Sequence, residues 1–182
     1  MPIVPLSLAK AILRVDFTED DGVLAFYLDA AADFIERQTR RRLTQGSRVK
    51  HLRHWPRGEV LLDPPPFDAV TAVTYRDTAG VTQTLASSNW TVEISDAVAR
   101  LRLFGDLPEL DQDEPRVSVA YTCGWAAGTL PRDLQLAVIR LAGTYYMNPE
   151  AVSMLSLSEV PFGVRATIDH WALPTLSTEA PE

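Results

Sequence analysis

The sequence is poor in cysteine and lysine. Cys123 is the only cysteine among 182 residues, so no disulfide can form within the chain. This excludes a disulfide-stapled secreted scaffold and suits a reducing compartment. Lysine occurs only at positions 10 and 50, and arginine supplies the other 15 of the 17 basic residues. Arginine favours planar, bidentate contacts at interfaces, although a GC-rich genome produces the same bias.

Long apolar runs and targeting signals are also missing. The longest apolar stretches are interrupted by Asp29, Asp33 and Arg140, well short of the about 18 residues that a membrane span requires. The first five residues lack the basic region and the apolar run of a signal peptide. We therefore expect no contact with a membrane.

Motifs of common catalytic chemistry are absent. The sequence has no G-x-S-x-G, no P-loop and no dinucleotide-binding glycine fingerprint. His51 and His54 fall in a predicted strand and would point to opposite faces, so we predict no metal site. Cys123 alternates with apolar residues on a buried face, where thiols are inert. We expect no enzyme activity and no cofactor; a small hydrolase using Cys123 or His51 is the less favoured alternative.

The remaining composition is that of a globular protein. Apolar residues make up 46% and charged residues 23% of the chain, which excludes intrinsic disorder. A chain of this length can bury a self-sufficient core without metal or disulfides. The formal net charge of −7 argues against a general nucleic-acid binder.

The charges are segregated along the sequence. One stretch of 21 residues carries basic residues and no acid, and one stretch of nine carries acids and no base. This pattern predicts complementary patches for an intersubunit or partner surface; a solvated basic helix end and an acidic loop is the alternative. The residues concerned are Arg37, Arg40, Arg41, Arg42, Arg48, Lys50, Arg53 and Arg57 in the first stretch, and Asp106, Glu109, Asp111, Asp113 and Glu114 in the second.

Helical periodicity begins near the N-terminus. Ser7 is the expected cap of a short helix that extends to about Val15. Leu8, Ala11, Ile12 and Val15 share one apolar face at helical spacing.

Three further helices are expected at about 19–41, 131–147 and 164–171. The first two carry long apolar stripes, and Pro131 is expected at the first helical position of the second. The stripes consist of Leu24, Tyr27, Leu28, Ala31, Phe34 and Ile35, and of Leu134, Ala137, Val138, Leu141, Ala142 and Tyr145.

Between about residues 43 and 124 the apolar period changes from 3.6 to 2, which indicates strands. The predicted strands are 49–55, 60–62, 70–75, 81–85, 90–94, 99–103 and 117–123. A glycine-containing hairpin loop at 76–80 joins the third and fourth. In the last strand Val117, Val119, Tyr121 and Cys123 face the same way.

These elements predict an α+β fold. The N- and C-terminal helices would pack together as a helical core domain of residues 1–42 and 130–172. Residues 43–129 would form an inserted small antiparallel β-sheet domain, a sandwich or an open barrel. Residues 173–182 are expected to form a flexible acidic C-terminal tail.

The order of segments resembles the head–tail connector (adaptor) family of tailed bacteriophages and phage-derived gene transfer agents. The resemblance runs from about Leu6 to Trp171. It is carried by 8–16 with the acids at 19–21, by the helix end AAADFIERQTRR, by PPP leading into VTAVTYRD and Gly80, and by VSVAYTCGW followed by 130–150. Two details depart from the family pattern, namely Phe104-Gly105 and Asn148-Pro149-Glu150.

The resemblance implies a structural protein of the virion neck, assembled in the bacterial host cytoplasm. It implies a homo-oligomeric ring, usually of twelve subunits, beneath the portal protein. Such a ring extends the DNA channel, lets DNA pass without specific binding, and docks tail-side stopper or terminator proteins. The C-terminal segment would reach the portal, which makes His170, Trp171, Leu173 and Leu176 the candidate portal-binding residues.

The alternative function is a neck or completion protein that contacts DNA. The Arg37–Arg57 segment could bind phosphates through an Arg-rich surface. Salt-dependent DNA affinity of the isolated chain would favour this alternative.

Overall fold

The computed structural model describes residues 3–95, 97–112, 116–148 and 160–173. Contacts divide the chain into two compact units. The helical unit comprises Met1–Leu43 and Ala127–Glu182, and the β unit comprises Thr44–Ala126. Of the predicted tail at 173–182, only Leu173 lies within the described residues.

The described part of the helical unit is built around one central helix. Its helices are α1 (Leu6–Leu13), α2 (Asp21–Thr39), α3 (Arg132–Met147) and α4 (Phe162–Trp171). Helix α3 contacts each of the other three. It buries residues around much of its circumference: Leu134, Ala137, Val138, Ile139, Leu141, Ala142, Gly143 and Tyr145. Each large apolar side chain buried in this way contributes about 1.5–3 kcal/mol.

The predicted stripes of α2 and α3 are confirmed. In α2, Leu24, Leu28, Ala31 and Ile35 are buried, and the two aromatic members of its stripe are half-buried. All six predicted stripe residues of α3 are buried. These two stripes account for the packing of α2 against α3.

The starts of α1 and α3 differ from their predictions. Helix α1 begins at Leu6 after Pro5, so Ser7 lies inside its first turn and no side chain caps it. The Pro5 carbonyl instead accepts hydrogen bonds from the first helical amides. Pro131 likewise precedes α3 rather than occupying its first position. In both cases a proline fixes the extended backbone just before the first turn.

The apolar face predicted for α1 is not turned into its own core. Ala9 is the buried residue of the helix, and Val15 is buried beyond its end. Leu8 is 39% exposed, Ile12 is 44% exposed, and Ala11 is also exposed. The predicted helix α1 is confirmed, but most of its apolar face is exposed to solvent in the isolated chain.

The β unit contains two small antiparallel sheets. The strands are β1 (Gly46–Leu52), β2 (Val60–Leu62), β3 (Phe67–Arg76), β4 (Thr82–Thr84), β5 (Trp90–Ile94), β6 (Ala99–Leu103) and β7 (Val117–Cys123). One sheet has the order β1-β7-β3-β4 and the other β2-β6-β5. The described strands form no closed barrel, and the predicted α+β class is confirmed. The first strand differs from its prediction: β1 spans Gly46–Leu52, whereas residues 49–55 were predicted.

Both sheets contribute to one apolar core. The alternating residues of β7 are buried as predicted, and they share a cluster with Leu62 and Leu101 of the second sheet. Tyr121 belongs to this cluster, and its hydroxyl donates a hydrogen bond to the Asp63 carbonyl at 2.5 Å. Burial and the nearby Asp63 raise the pKa of Tyr121 above its usual range.

The first and last strands of the β unit pair with each other. Their register runs from Gly46 opposite Cys123 to Leu52 opposite Val117. Beyond the strand ends, the Gln45 amide donates a hydrogen bond to the Trp125 carbonyl at 2.8 Å. We call this contact of residues 44–45 with 124–125 the strand-end clamp.

Gly124 is required at the strand-end clamp. Its φ is +97°, a conformation that side chains disfavour. A Cβ at this position would lie 2.2 Å from the Thr44 carbonyl oxygen. Because the obstacle is backbone, it cannot rotate away, and the two chain segments could not approach as they do.

We predict that Gly124→Ala lowers the free energy of unfolding by about 2–4 kcal/mol, since a backbone clash adds to the cost of positive φ. Gly80→Ala is the matched control: its φ is +76°, but the nearest atom belongs to a side chain and not to backbone, an Arg76 guanidinium nitrogen at 3.2 Å. We expect a loss of about 1–2 kcal/mol there. Urea unfolding followed by tryptophan fluorescence measures both. Equal losses would contradict the clamp.

Candidate assembly surfaces

The C-terminal helix is fastened to the helical unit by Trp171. The indole Nε1–H donates a hydrogen bond to the Asp133 carboxylate at 2.6 Å. Arg41 Nε donates one to the Trp171 carbonyl at 2.8 Å, and the Arg41 guanidinium carbon lies 5.4 Å from the centre of a Trp171 ring. This cation–π contact and the two hydrogen bonds hold the end of α4 against α2 and α3. We call Trp171, Asp133 and Arg41 the C-terminal anchor.

The last described residue of the helical unit lies just beyond this anchor. The Leu173 amide donates a hydrogen bond to the Thr39 carbonyl at 3.1 Å, at the end of α2. His170 is exposed, and its ring lies edge-on to that of Trp171. Leu176 lies outside the described residues. Of the four candidate portal-binding residues, Trp171 and Leu173 are therefore bound within their own unit, and His170 presents its side chain to solvent.

The predicted basic stretch is divided between the two units. Arg37 and Arg40–Arg42 belong to the helical unit, whereas Arg48, Lys50, Arg53 and Arg57 belong to the β unit. Arg42 forms an ion pair with Glu36 at 3.0 Å, and the other Glu36 oxygen accepts a hydrogen bond from the Leu43 amide at 2.7 Å. Together with Arg41 in the anchor, this means that two of the arginines have structural partners at the end of α2.

The part of the predicted basic stretch that belongs to the β unit lies on or after the edge strand β1. Arg48 is exposed on β1, and Arg57 is exposed in the following loop. Lys50 donates a hydrogen bond to the Leu61 carbonyl at 2.6 Å and lies 3.9 Å from the Asp63 carboxylate. Arg53, also exposed, makes further contacts of its own. Lys50 thus bridges β1 to the loop after β2.

The predicted acidic stretch is only partly available to a partner. Asp106 and Glu109 are exposed. Asp111 forms an ion pair with Arg76 at 3.2 Å, and its side chain is 17% exposed, so it serves the β unit itself. Asp113 and Glu114 lie outside the described residues.

Sequence reasoning did not single out three exposed apolar side chains in α2 and in the segment before it. Phe17 is 49% exposed, Val23 47% and Phe26 66%. With Leu8 and Ile12 of α1, they leave apolar area in water that a monomer would ordinarily bury. The signal was present in the stripe of α1, but a stripe does not reveal whether its partner is the same chain or another.

The two residues considered for catalysis, Cys123 and His51, both contact other parts of the β unit. Cys123 is fully buried in the β core, and His51 Nδ1 lies 2.9 Å from Ser118 Oγ. The described residues contain no group of three or more potential metal ligands. Among them, too, no helix is long and apolar enough to cross a bilayer.

A tyrosine joins the start of α2 to the end of α3. The Tyr146 hydroxyl donates a hydrogen bond to the Asp20 carboxylate at 2.5 Å. This bond to a carboxylate raises the pKa of Tyr146. Tyr145, the preceding residue, is buried against Tyr27, with ring centres 6.2 Å apart. The Tyr146–Asp20 hydrogen bond and the Tyr145–Tyr27 contact both hold α2 against α3. The role of these tyrosines is structural.

We predict that Trp171→Phe loosens α4 while leaving the fold intact. The phenyl ring keeps much of the packing but cannot donate to Asp133, and a hydrogen bond to a charged group is worth about 1.5–3 kcal/mol. Amide hydrogen exchange within α4 should become about tenfold faster. Asp169→Asn, an exposed change that touches only a 4.0 Å contact with Arg165, is the control. Unchanged exchange in the Trp171 variant would contradict the anchor.

The comparisons with known proteins agree on one family. Residues 4–80 match the family described as phage gp6-like head-tail connector protein. No similar sequence is found among curated proteins. A chain of "Neck of native GTA particle computed with C12 symmetry" is 30% identical, with a TM-score of 0.74, over 98% of this chain and 96% of that chain.

Two further solved chains are similar over nearly the whole length. One comes from "Neck of empty GTA particle computed with C6 symmetry", with 28% identity, a TM-score of 0.81, and coverage of 98% of this chain and 94% of that chain. The other comes from "Virion of native gene transfer agent (GTA) particle", with 29% identity, a TM-score of 0.78, and coverage of 96% and 92%. With matching helices, sheets and sequence, the chain belongs to the phage gp6-like head-tail connector family.

Proposed function

We propose that the protein is a structural component of a virion neck that forms a ring beneath the portal protein. The observation that carries this proposal is the full-length similarity to neck chains of gene transfer agent particles. Their reconstructions with C6 and C12 symmetry support a ring of twelve copies here. The ring would extend the DNA channel from the portal and dock tail-side stopper or terminator proteins, with assembly in the bacterial host cytoplasm.

Ring formation explains the exposed apolar residues of the helical unit. A cyclic ring is built from head-to-tail contacts, in which one surface of a subunit meets a different surface of its neighbour. Such contacts require apolar area that is free in the monomer. Leu8 and Ile12 of α1, with Phe26 of α2, offer that area without any change in the core.

The C-terminal anchor supports a division of labour in portal binding. Trp171 and Leu173 are tied to α2 and α3, so we assign them the role of fixing where the terminal segment starts. We assign the direct portal contact to Leu176, an apolar residue of the terminal segment, and exposed His170 lies beside the anchor. Rigid placement of Trp171 and Leu173 lowers the ordering cost of binding.

The charge of the chain favours passage of DNA over its retention. Twelve copies at a net charge of −7 carry a formal charge of about −84. An acidic assembly repels phosphates, whereas DNA retention requires many free cations. Arg41 and Arg42 already have partners in the helical unit, which weakens the alternative of an Arg37–Arg57 DNA-binding surface. A structural neck role requires no catalysis, so the proposed function is not that of an enzyme.

The assembly prediction is tested by mixing the chain with the portal protein of its particle. Size-exclusion chromatography with light scattering should give a portal complex with twelve added copies. Deletion of residues 174–182 and Leu176→Ser should each reduce binding at least tenfold, because a buried leucine contributes about 1.5–3 kcal/mol. Deletion of residues 179–182 is the control: it removes two acids but keeps Leu176, and should bind nearly as wild type.

Two results would count against the proposal. If the wild-type chain ignores the portal, the neck assignment to this position is wrong. If the portal complex forms equally well without residues 174–182, the ring stands but the terminal segment does not bind the portal.

The DNA prediction concerns the isolated chain. We expect no binding to duplex DNA at 150 mM salt, measured by fluorescence anisotropy with a labelled fragment. Affinity that appears at low salt and falls steeply with salt would instead favour the DNA-contacting alternative. Loss of that affinity in an Arg48→Ala, Arg57→Ala double variant would then locate it on the β unit.

A further inference from the structure

The helical unit contains an open apolar cavity of about 270 Å³. It is lined by Ile3, Val4, Leu6, Ala25, Leu28 and Val138, with Asp29 beside them. Val4, Leu28 and Val138 are buried and form the floor, whereas Ala25 and Asp29 are exposed. A dry cavity of roughly 150 Å³ is large enough to hold benzene. This cavity therefore has room for an aromatic side chain.

The same unit carries an aromatic side chain with almost no cover. Phe162, the first residue of α4, is 88% exposed, more than any other large apolar side chain among the described residues. Exposed aromatic residues with arginine neighbours are typical anchors of protein interfaces. Arg165 follows it by one turn, and a Cβ at Gly163 would lie 3.1 Å from an Arg140 guanidinium nitrogen. Phe162 is thus an exposed apolar side chain close to two arginines, and we call it the knob.

The knob and the cavity lie against opposite sides of α3. Val138 contributes to the cavity, and Arg140 lies beside the start of α4. Val138 and Arg140 are two residues apart on an α-helix, so their side chains point in directions about 160° apart. Phe162 therefore cannot fill the cavity of its own chain, but the arrangement suits a contact repeated head to tail between copies.

Charge complements the apolar fit. Asp29 stands at the cavity, and within the described residues no ion pair engages its carboxylate or the Arg140 guanidinium. A neighbour's Phe162 would bring Arg140 and Arg165 towards Asp29. Opposite charges at the edge of an apolar contact set its register and disfavour other partners.

We propose that Phe162 of one copy inserts into the Val4–Leu28–Val138 cavity of the next copy, with Asp29 facing the arginines beside the inserted ring. This inference rests on the ring proposed above and names the contact that closes it. The occupant of the cavity is thus a second copy of this chain.

Disulfide trapping tests the contact directly. Ala25→Cys and Ala166→Cys alter exposed positions. Ala166 lies one turn after Phe162 on α4, so the phenyl ring stays in place, and native Cys123 is buried. In the portal-bound ring, diamide should oxidise the paired thiols of the double variant and give a ladder of linked copies on a non-reducing gel. Each single variant is a control and should remain monomeric on the same gel. Rings of the double variant that give no ladder would overturn the contact.

Assembly measurements provide an independent test. Phe162→Ala should raise the chain concentration for half-maximal ring formation on the portal at least tenfold. Phe104→Ala removes a 45% exposed phenylalanine from the β unit and should leave assembly unchanged. Asp29→Lys should weaken assembly at least threefold, and adding Arg140→Asp should restore it.

The failures of the two proposals are distinguishable. If wild-type chains form rings but Phe162→Ala assembles normally and no ladder appears, the ring stands and the cavity has another occupant. If wild-type chains form no ring on the portal, both the ring and this contact are wrong.

Discussion

The pairing of β1 with β7 fixes where the inserted β unit begins and ends. Gln45 bonds to Trp125, and Gly124 lies so close to Thr44 that a single methyl group would collide with its carbonyl. The chain therefore returns to the point from which it departed after α2. This return allows α2 and α3, separated by the whole β unit in sequence, to pack as neighbours. The core around α3 and the anchor at Trp171 both depend on it.

Much of this fold follows from periodicity. The strands β2, β5, β6 and β7 have the predicted bounds, and the buried faces of α2, α3 and β7 are those that their spacing predicts. The ends of helices and strands were predicted less accurately from local sequence signals. Ser7 is predicted to cap the helix, yet Pro5 fixes the backbone two residues earlier, and the helix begins at Leu6. β1 is displaced because its register is set by pairing with distant β7, which no local pattern contains.

The surfaces were harder to predict than the core. The runs of charge in the sequence predict that Arg41, Arg42 and Asp111 are available to a partner. Each of them instead contacts a residue of its own chain on another element. Arg41 contacts Trp171, Arg42 contacts Glu36, and Asp111 contacts Arg76. The stripe of α1 reads as core because a periodic pattern records that a face is apolar and not what covers it. Phe162 carries no periodic signal at all. Its exposure becomes visible only once Val164 and Ile168 are placed in the interior.

We propose that a chain folded in this way closes into a neck ring. Cryo-electron microscopy of the portal complex, reconstructed without imposed symmetry, tests this proposal. We expect twelve equivalent copies in a closed ring, with an axial channel continuous with that of the portal and wide enough for duplex DNA. Separate copies scattered on the portal, or a ring whose folded units block the axis, would contradict it.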